Sequence, residues 1–472
     1  MGSMLQKAYW KAPYCLKNCM ASWNSRRLDR LRYGPDYQRV LAEIFERDKW
    51  SAEQMAEYQR ERLCSLILHA AEHVPYYRRL FAETGVDPRS IQGLADLSRV
   101  PTLTKQTARA VPEELLNERL DRSRLTPMFT SGTSGTPMRL YRDAELSATI
   151  AAFFDGRCRE VAGMRRVRNR SASIGGHLVA EPGRTRPPFW VVNRRWNQLY
   201  MSSYHLSPAN LPHYVQALRD FQPEYIEGYP SSVYAVAQFI VENHLPPVPM
   251  KACVTTAETL FDHQRQAIRD AFGCRTYNQY GCGEFAVFAA ECEQGTMHLS
   301  PEVGITEIVD ENRQPVPPGQ VGRLVCTSLQ NFVQPWIRYE VGDTGAVQAG
   351  QCPCGRPLPI LSSLEGRVDA VLLTRDGRRI GRLDPVFKGA RGIREAQIVQ
   401  DDYEKFRIRV VPASDYTEQD GKNIAANLAH RVGQVDIGIE LVDAIERTRC
   451  GKFVAVVCHL PHDTGHRPTR KS

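Results

Sequence analysis

Apolar positions recur along this chain in two rhythms, and the change from one to the other divides it. From about Asp36 to Glu83 they fall three and four residues apart, in YQRVLAEIFERD and in ERLCSLILHAAEHV, which predicts helices with one buried face. Pro75 in VPYYRRLF breaks the pattern, and LADLSRVPTLTKQTARA leads on by turns. From Ser207 helical and strand-like stretches alternate. LSPANLPHYVQALRDF reads as a helix with a Ser-Pro start, EYIEGY as a short strand, and VYAVAQFIVENH as a helix from Ser231 or Ser232. MKACVTTAE reads as strand and turn, and HQRQAIRDAFG as a helix stopped by Gly273. That alternation predicts an α/β region.

After about His298 strands dominate. ITEIVDENRQPVPPGQVGRLVCTSL reads as two strands around a Pro/Gly-rich turn, and VQPWIRYEVGDTGAV adds more β-structure. A third unit follows Asp369, with strands in DAVLLTRDG, EAQIVQDDYEKFRIRVVPA and KFVAVVCHL and a helix near Lys422–Val432. The expected organisation is a large α/β domain over 1–368 and a small α+β domain over 369–472. The large domain has N-terminal helices at about 36–85 and a β-subdomain at about 298–366. LEGRVDA joins the two domains with no long linker.

Composition agrees with this picture. A chain of 472 residues exceeds one simple core, and 42% hydrophobic with 24% charged residues is globular rather than disordered. No apolar run is long enough to span a bilayer, and MGSMLQKAYWKAPYC has no signal-peptide core, so the expected location is the cytoplasm. Thirteen cysteines, an odd count, point to reduced thiols, some of them available to metal, rather than to a disulfide framework. The net charge of +8 is dispersed, apart from RRVRNR at 165–170 and the tail at 467–471; it reads as a solvated face, and no nucleic acid is expected.

Chemistry enters at FTSGTSGTPM, from Phe129 to Met138. Pro137 stands where a P-loop needs its second glycine, and no lysine follows. Freed backbone amides with several hydroxyls can still surround a polyphosphate; a polar turn between strands fits the same residues. Gly281-Cys-Gly283-Glu-Phe-Ala286 matches the dinucleotide fingerprint in letters, with Glu302 downstream, but the polar RTYNQY before it is a poor opening strand for one. Cys292 and His298, with Cys352 and Cys354, supply three thiols and an imidazole, a closed tetrahedral set for Zn²⁺; unliganded thiols in two turns are the alternative. Cys282 reads as a packed small residue, and His177 as structural or surface rather than substrate-contacting.

Five stretches then occur in order: TSGTSGTP at 130–137, NQYGCGE at 278–284, RYEVGD at 338–343, EGRVD at 365–369 and RTRCGK at 447–452. Together they resemble the core motifs of the adenylate-forming superfamily of acyl-CoA synthetases, peptide-synthetase adenylation domains and luciferases. Within it the chain is similar to the phenylacetate–CoA ligase family, nearest its capsular-polysaccharide-biosynthesis and coenzyme F390 synthetase-like branch. The resemblance implies that Ser131, Gly132, Thr133, Ser134, Gly135 and Thr136 cradle the ATP phosphates. Ala257, Glu258 and Asn278 would line the adenine, with Tyr280 and Gly281 flanking the nucleotide. Glu284 would hold Mg²⁺, Asp343 the ribose hydroxyls, and Arg367 the ribose and phosphate. Asp369 would be the hinge, and Lys452 would reach the α-phosphate and the attacking carboxylate. Similar Cys/His positions bind zinc in relatives.

The implied activity is AMP-forming activation of a carboxylic acid, an aromatic one by family habit, then transfer to CoA or another thiol, or to an amine. A non-catalytic, zinc-stabilised binding or scaffold relative is the alternative, and oligomeric state, a homodimer included, stays open. Three departures bear on this. The loop lacks a lysine, for which Arg139 is a partial substitute; Gly283 replaces a phosphate-touching hydroxyl; and no motif marks a pantetheine tunnel. Tyr225, Tyr229 and Trp336 are the expected wall of the acid pocket.

Overall fold

The helices start where polar side chains can take up their free amides. In the computed structural model, which describes residues 9–129, 138–181, 184–367, 372–375, 379–380, 386, 392–433, 435–447 and 453–460, Ser51 and Gln54 form a reciprocal capping box at 3.3 and 2.8 Å. It opens the helix α3 (Ala52–His73), which follows α1 (Tyr14–Arg32) and α2 (Pro35–Arg47) and precedes α4 (Pro75–Thr84), whose C-cap is the left-handed Gly85. The helix α1 was not foreseen. Its Asn18, Ser22, Ser25 and Asp29 form a polar stripe where an apolar one is expected. Asn18 accepts from the Val192 amide at 2.9 Å and Ser22 from the Arg194 amide at 3.0 Å, while Asn193 donates to Ser25 at 2.6 Å. The stripe therefore satisfies an edge strand that would otherwise be open.

That strand belongs to a sheet of twelve. After the hairpin β1 (Thr126–Phe129) and β2 (Arg139–Arg142), and the helix α5 (Ala144–Phe154), come β3 (Ser171–Gly175), β4 (Trp190–Asn193) and β5 (Gln198–Ser202). Next are α6 (Leu211–Phe221), β6 (Tyr225–Gly228), α7 (Pro230–Glu242), β7 (Ala252–Thr256), α8 (Asp262–Phe272), β8 (Arg275–Gly281) and β9 (Phe288–Glu291). The series closes with β10 (Met297–Leu299), β11 (Gly304–Val309), β12 (Gly322–Ser328), β13 (Tyr339–Gln348) and β14 (Ile360–Arg367). The spatial order is β11-β12-β13-β14-β10-β9-β8-β7-β6-β3-β5-β4. Strands β5, β3, β6, β7 and β8 run parallel, as the alternation predicts, and β9 turns back antiparallel. The strands after His298 thus continue the α/β sheet rather than forming a sheet of their own.

The parallel half has two unlike faces. Ala172, Ile174, Met201, Ile226 and Cys253 pack against α6, α7 and α8 in one apolar core. In register on the other face lie Ser173, Tyr200 and Glu227. Glu227 accepts from Arg159 at 2.9 Å, Arg166 at 3.3 Å and Gln198 at 2.9 Å, and Asp155 accepts from Arg159 at 2.8 Å and Tyr37 at 2.9 Å. Buried charges persist here because each sign meets the other. On the antiparallel half, Leu63, Leu66, Ile67 and Ala70 of α3 pack with Leu324, Cys326, Trp336 and Tyr339.

The described residues divide into one unit that ends at Leu364 and a second that begins at Glu365. In the second, β17 (Ile393–Gln400) and β18 (Lys405–Pro412) are antiparallel and are flanked by β19 (Asp436–Leu441) and β20 (Val456–Cys458); the two-residue strands β15 (Leu372–Leu373) and β16 (Arg379–Ile380) pair with each other. The helix α9 (Glu418–Val432) packs Ile424 and Leu428 on Ile398 and Phe406. It starts four residues before the expected Lys422, because Thr417 and Asp420 cap it. Among the described residues no helix is long and apolar enough to cross a membrane.

Candidate functional site

The carboxyl ends of β7 and β8 carry two of the sequence motifs side by side, in the register Thr255 with Asn278. This is where ligands bind in open parallel sheets. Thr255 Oγ1 donates to Asn278 Oδ1 at 3.0 Å, and the Asn278 amide donates to Glu291 at 2.9 Å, which holds the side chain at the strand end. Ala257 is exposed, with φ of +72°, and Glu258 accepts from the Ser231 amide at 3.1 Å at the N-terminus of α7. That helix begins at Pro230, just ahead of the expected serines. Gly228 lets β6 approach β3 here, since a Cβ would lie 2.2 Å from the Ile174 oxygen.

Two carboxylates are held by tyrosines. Tyr280, next to the end of β8, donates its hydroxyl to Asp343 Oδ2 on β13 at 2.6 Å, joining motifs 63 residues apart. Burial and then the Asp343 charge push the Tyr280 phenol well above its usual range, so it stays a donor. Tyr339 donates to Glu284 Oε1 at 2.8 Å, and Glu284 is 5% exposed. The Tyr339 phenol is likewise raised by burial and by Glu284. Tyr339 was missed in the sequence, where RYEVGD draws attention to its acid. Gly281 ends β8 exposed, and β9 follows with no intervening helix, so Gly281–Ala286 is not a dinucleotide fingerprint.

Arg139, the expected substitute for the loop lysine, turns instead to Glu113 at 3.4 Å and to the rings of Phe129 and Tyr141. Arg142 reaches the Gly283 carbonyl at 2.6 Å, and burial, then the Arg32 charge, push it down to about 10. Nothing in the sequence distinguished these two arginines. Of the expected pocket walls, Trp336 is fully buried in the core, and Tyr225 is spent on the Gly163 carbonyl at 2.7 Å. Tyr229 instead sits over Gly175, near His177. His177 contacts Ser173 at 2.9 Å and the Tyr200 ring, and burial lowers its pKa, a neutral packed histidine. Cys282 packs on the core around Trp336, and burial raises its thiol to about 12. Ser131–Thr136, Asp369 and Lys452 lie outside the described residues, as does the side chain of Arg367 on β14.

At the far ends of β9 and β13 the ligand atoms of Cys292, His298, Cys352 and Cys354 all lie within 4.8 Å of one another. Cys292 and Cys352 sulfurs are 3.8 Å apart, and Cys354 Sγ is 3.5 Å from His298 Nε2. His298 Nδ1 is 3.1 Å from the Leu358 carbonyl, which leaves Nε2 aimed at the thiols. The Gln294 amide donates to the Cys292 sulfur at 3.3 Å.

A large mixed sheet followed by a separate α+β unit is the fold of adenylate-forming ligases. A solved 2-hydroxyisobutyryl-CoA ligase, in its postadenylation state with an acyl-AMP, matches it at a TM-score of 0.70 and 23% identity over 87% of this chain and 91% of that one. Residues 372–459 match the CapK C-terminal domain family. Protein CapK of Staphylococcus aureus is 25% identical over 467 residues, 95% of this chain and 98% of its own. Phenylacetate-coenzyme A ligase of Thermus thermophilus is 29% identical over 350 residues, 68% of this chain and 72% of its own. The chain is thus similar to CapK over nearly its whole length and to phenylacetate-coenzyme A ligase over 68% of it, and it shares the fold of a solved CoA ligase.

Proposed function

We propose that the protein activates a carboxylic acid with ATP and passes the acyl group to a thiol, such as that of CoA, or to an amine. The observation that supports this is the Tyr280–Asp343 contact, which brings the second and third motifs to one place beside the end of β8. In the first half-reaction the acid's carboxylate oxygen bonds to the α-phosphorus and the bond to pyrophosphate breaks. In the second the acceptor attacks the acyl carbon, loses its proton, and AMP leaves.

Asp343, held by Tyr280, would accept both ribose hydroxyls, and Asn278 with Ala257 and Glu258 would line the base. Residues Ser131–Thr136 would cradle the phosphates, Asp369 would serve as the hinge, and Lys452 would reach the α-phosphate. The buried carboxylate of Glu284 suits a hard cation: it would hold Mg²⁺, which supplies positive charge against the phosphates. Arg142, beside Gly283, adds a fixed cation where the loop has no lysine. The three sulfurs and one imidazole suit Zn²⁺, held by Cys292, His298, Cys352 and Cys354 as a structural tie between the β9–β10 turn and the loop after β13. ATP–pyrophosphate exchange across a panel of acids tests the activity. Acid-dependent exchange is expected, and its absence with every acid, in protein that binds ATP, would favour a non-catalytic relative.

A further inference from the structure

The helix α1 has a face that the ligase reading does not use. At 100° per residue, Leu16, Met20, Trp23, Arg27 and Arg30 fall within about 40° of one line, opposite the Asn18–Ser22–Ser25–Asp29 stripe that holds β4. Leu16 is 49% exposed, Met20 38% and Trp23 72%. Large apolar side chains this open, three in a row on one helix, need a reason. The next two turns of the same line are basic. Arg26, Arg27 and Arg30 are exposed, and among the described residues none has a carboxylate partner. The one acid of α1, Asp29, points inward to Arg195 and the Trp196 indole. A groove of about 590 Å³ runs between these arginines and Arg124, with Trp23, Leu31 and Pro127 on its walls.

We propose that α1 is a docking helix for an anionic lipid surface. Its length decides against a small ligand: from Leu16 to Arg30 the line runs about 21 Å along the axis. Leu, Met and Trp side chains enter the acyl boundary, and the indole sits at headgroup depth. The guanidinium forks of Arg26, Arg27 and Arg30, with Arg124 across the groove, meet the phosphates. Because the helix's other face is bound to the edge strand β4, it lies flat on the protein and presents the whole line at once. Docking of this kind is peripheral and reversible, and salt weakens it.

The test is flotation of the full-length protein with vesicles of neutral phosphatidylcholine, or of phosphatidylcholine with about one-third phosphatidylglycerol. The protein should float with the anionic vesicles, stay behind with the neutral ones, and be released at high salt. Arg26→Glu/Arg30→Glu should weaken partitioning at least about ten-fold, and Trp23→Ser several-fold. Arg89→Glu/Arg269→Glu, an equal charge change at exposed sites elsewhere, should not. All three variants should keep the parental melting temperature and nucleotide binding. Failure to float with anionic vesicles, equal binding to neutral ones, or indifference to the α1 reversal overturns the proposal. So does a shift from dimer to monomer on Trp23→Ser in sedimentation, which would assign the stripe to a second copy of the chain.

Discussion

The tyrosine-held carboxylates and the Cys/His cluster are built on the same strands, at opposite ends. Glu284 precedes β9 and Cys292 follows it; Tyr339 and Asp343 lie in the first half of β13, and Cys352 and Cys354 lie beyond its end. At one end, each acid has one oxygen held by a phenol that burial keeps protonated. At the other, four soft donors face inward within 4.8 Å of one another. The first arrangement suits a ligand that comes and goes; the second is closed, as a structural metal site is. A shared scaffold also means that loosening one end should reach the other through the strands.

The largest expected effect lies outside both ends and sets a scale for them. Glu227→Gln would leave Arg159 and Arg166 buried with less opposing charge, at a cost of about 3–5 kcal/mol in urea unfolding. Burial raises the Glu227 carboxyl, but Arg159 and Arg166 outweigh it and hold it down to about 2. An unfolded glutamate titrates near about 4.3. The stabilisation is therefore complete above that value and is lost as pH falls towards 2, and the variant should show a flatter pH–stability curve in that window.

For the proposed nucleotide site, Lys452→Ala should slow pyrophosphate release on the order of a hundred-fold or more, yet leave transfer from preformed acyl-adenylate near the parental rate. Equal losses in both half-reactions would refute the assignment of Lys452 to the first. At the far end, purified protein should contain about one zinc per chain by elemental analysis. Cys352→Ser should lower the melting temperature by several degrees while changing the turnover of folded protein less. Metal-free protein prepared without chelator would overturn the zinc reading.

These two ends were not equally legible in the sequence. Thiols and imidazoles are rare, and few residue types can do their work, so Cys292, His298, Cys352 and Cys354 could be grouped without a fold. Asp343 and Glu284 were singled out through the order of motifs, but their partners were not: a tyrosine in a strand is common, and only the folded chain brings Tyr280 to Asp343 and Tyr339 to Glu284. Helices and strands from Ser207 to Gly273 followed their periodicity closely. The helix α1 did not, because its buried stripe is polar and its exposed line partly apolar, the inverse of the usual pattern. That β9, β10 and β14 fuse the two halves into one sheet depends on contacts between residues far apart in sequence, which local periodicity does not carry.

The smallest expected effect belongs to Tyr280→Phe. It removes one hydrogen bond to a carboxylate and should weaken ATP binding by about 1–1.5 kcal/mol. Set beside Asp343→Ala, it supplies the most direct test of the proposed nucleotide site, and that test requires no knowledge of the acid. Calorimetric titration of Mg-ATP into the parent and both variants should show weakening in the order parent, Tyr280→Phe, Asp343→Ala, with the last losing about 2–4 kcal/mol. Parental affinity in folded Asp343→Ala would contradict the assignment of Asp343 to ATP binding.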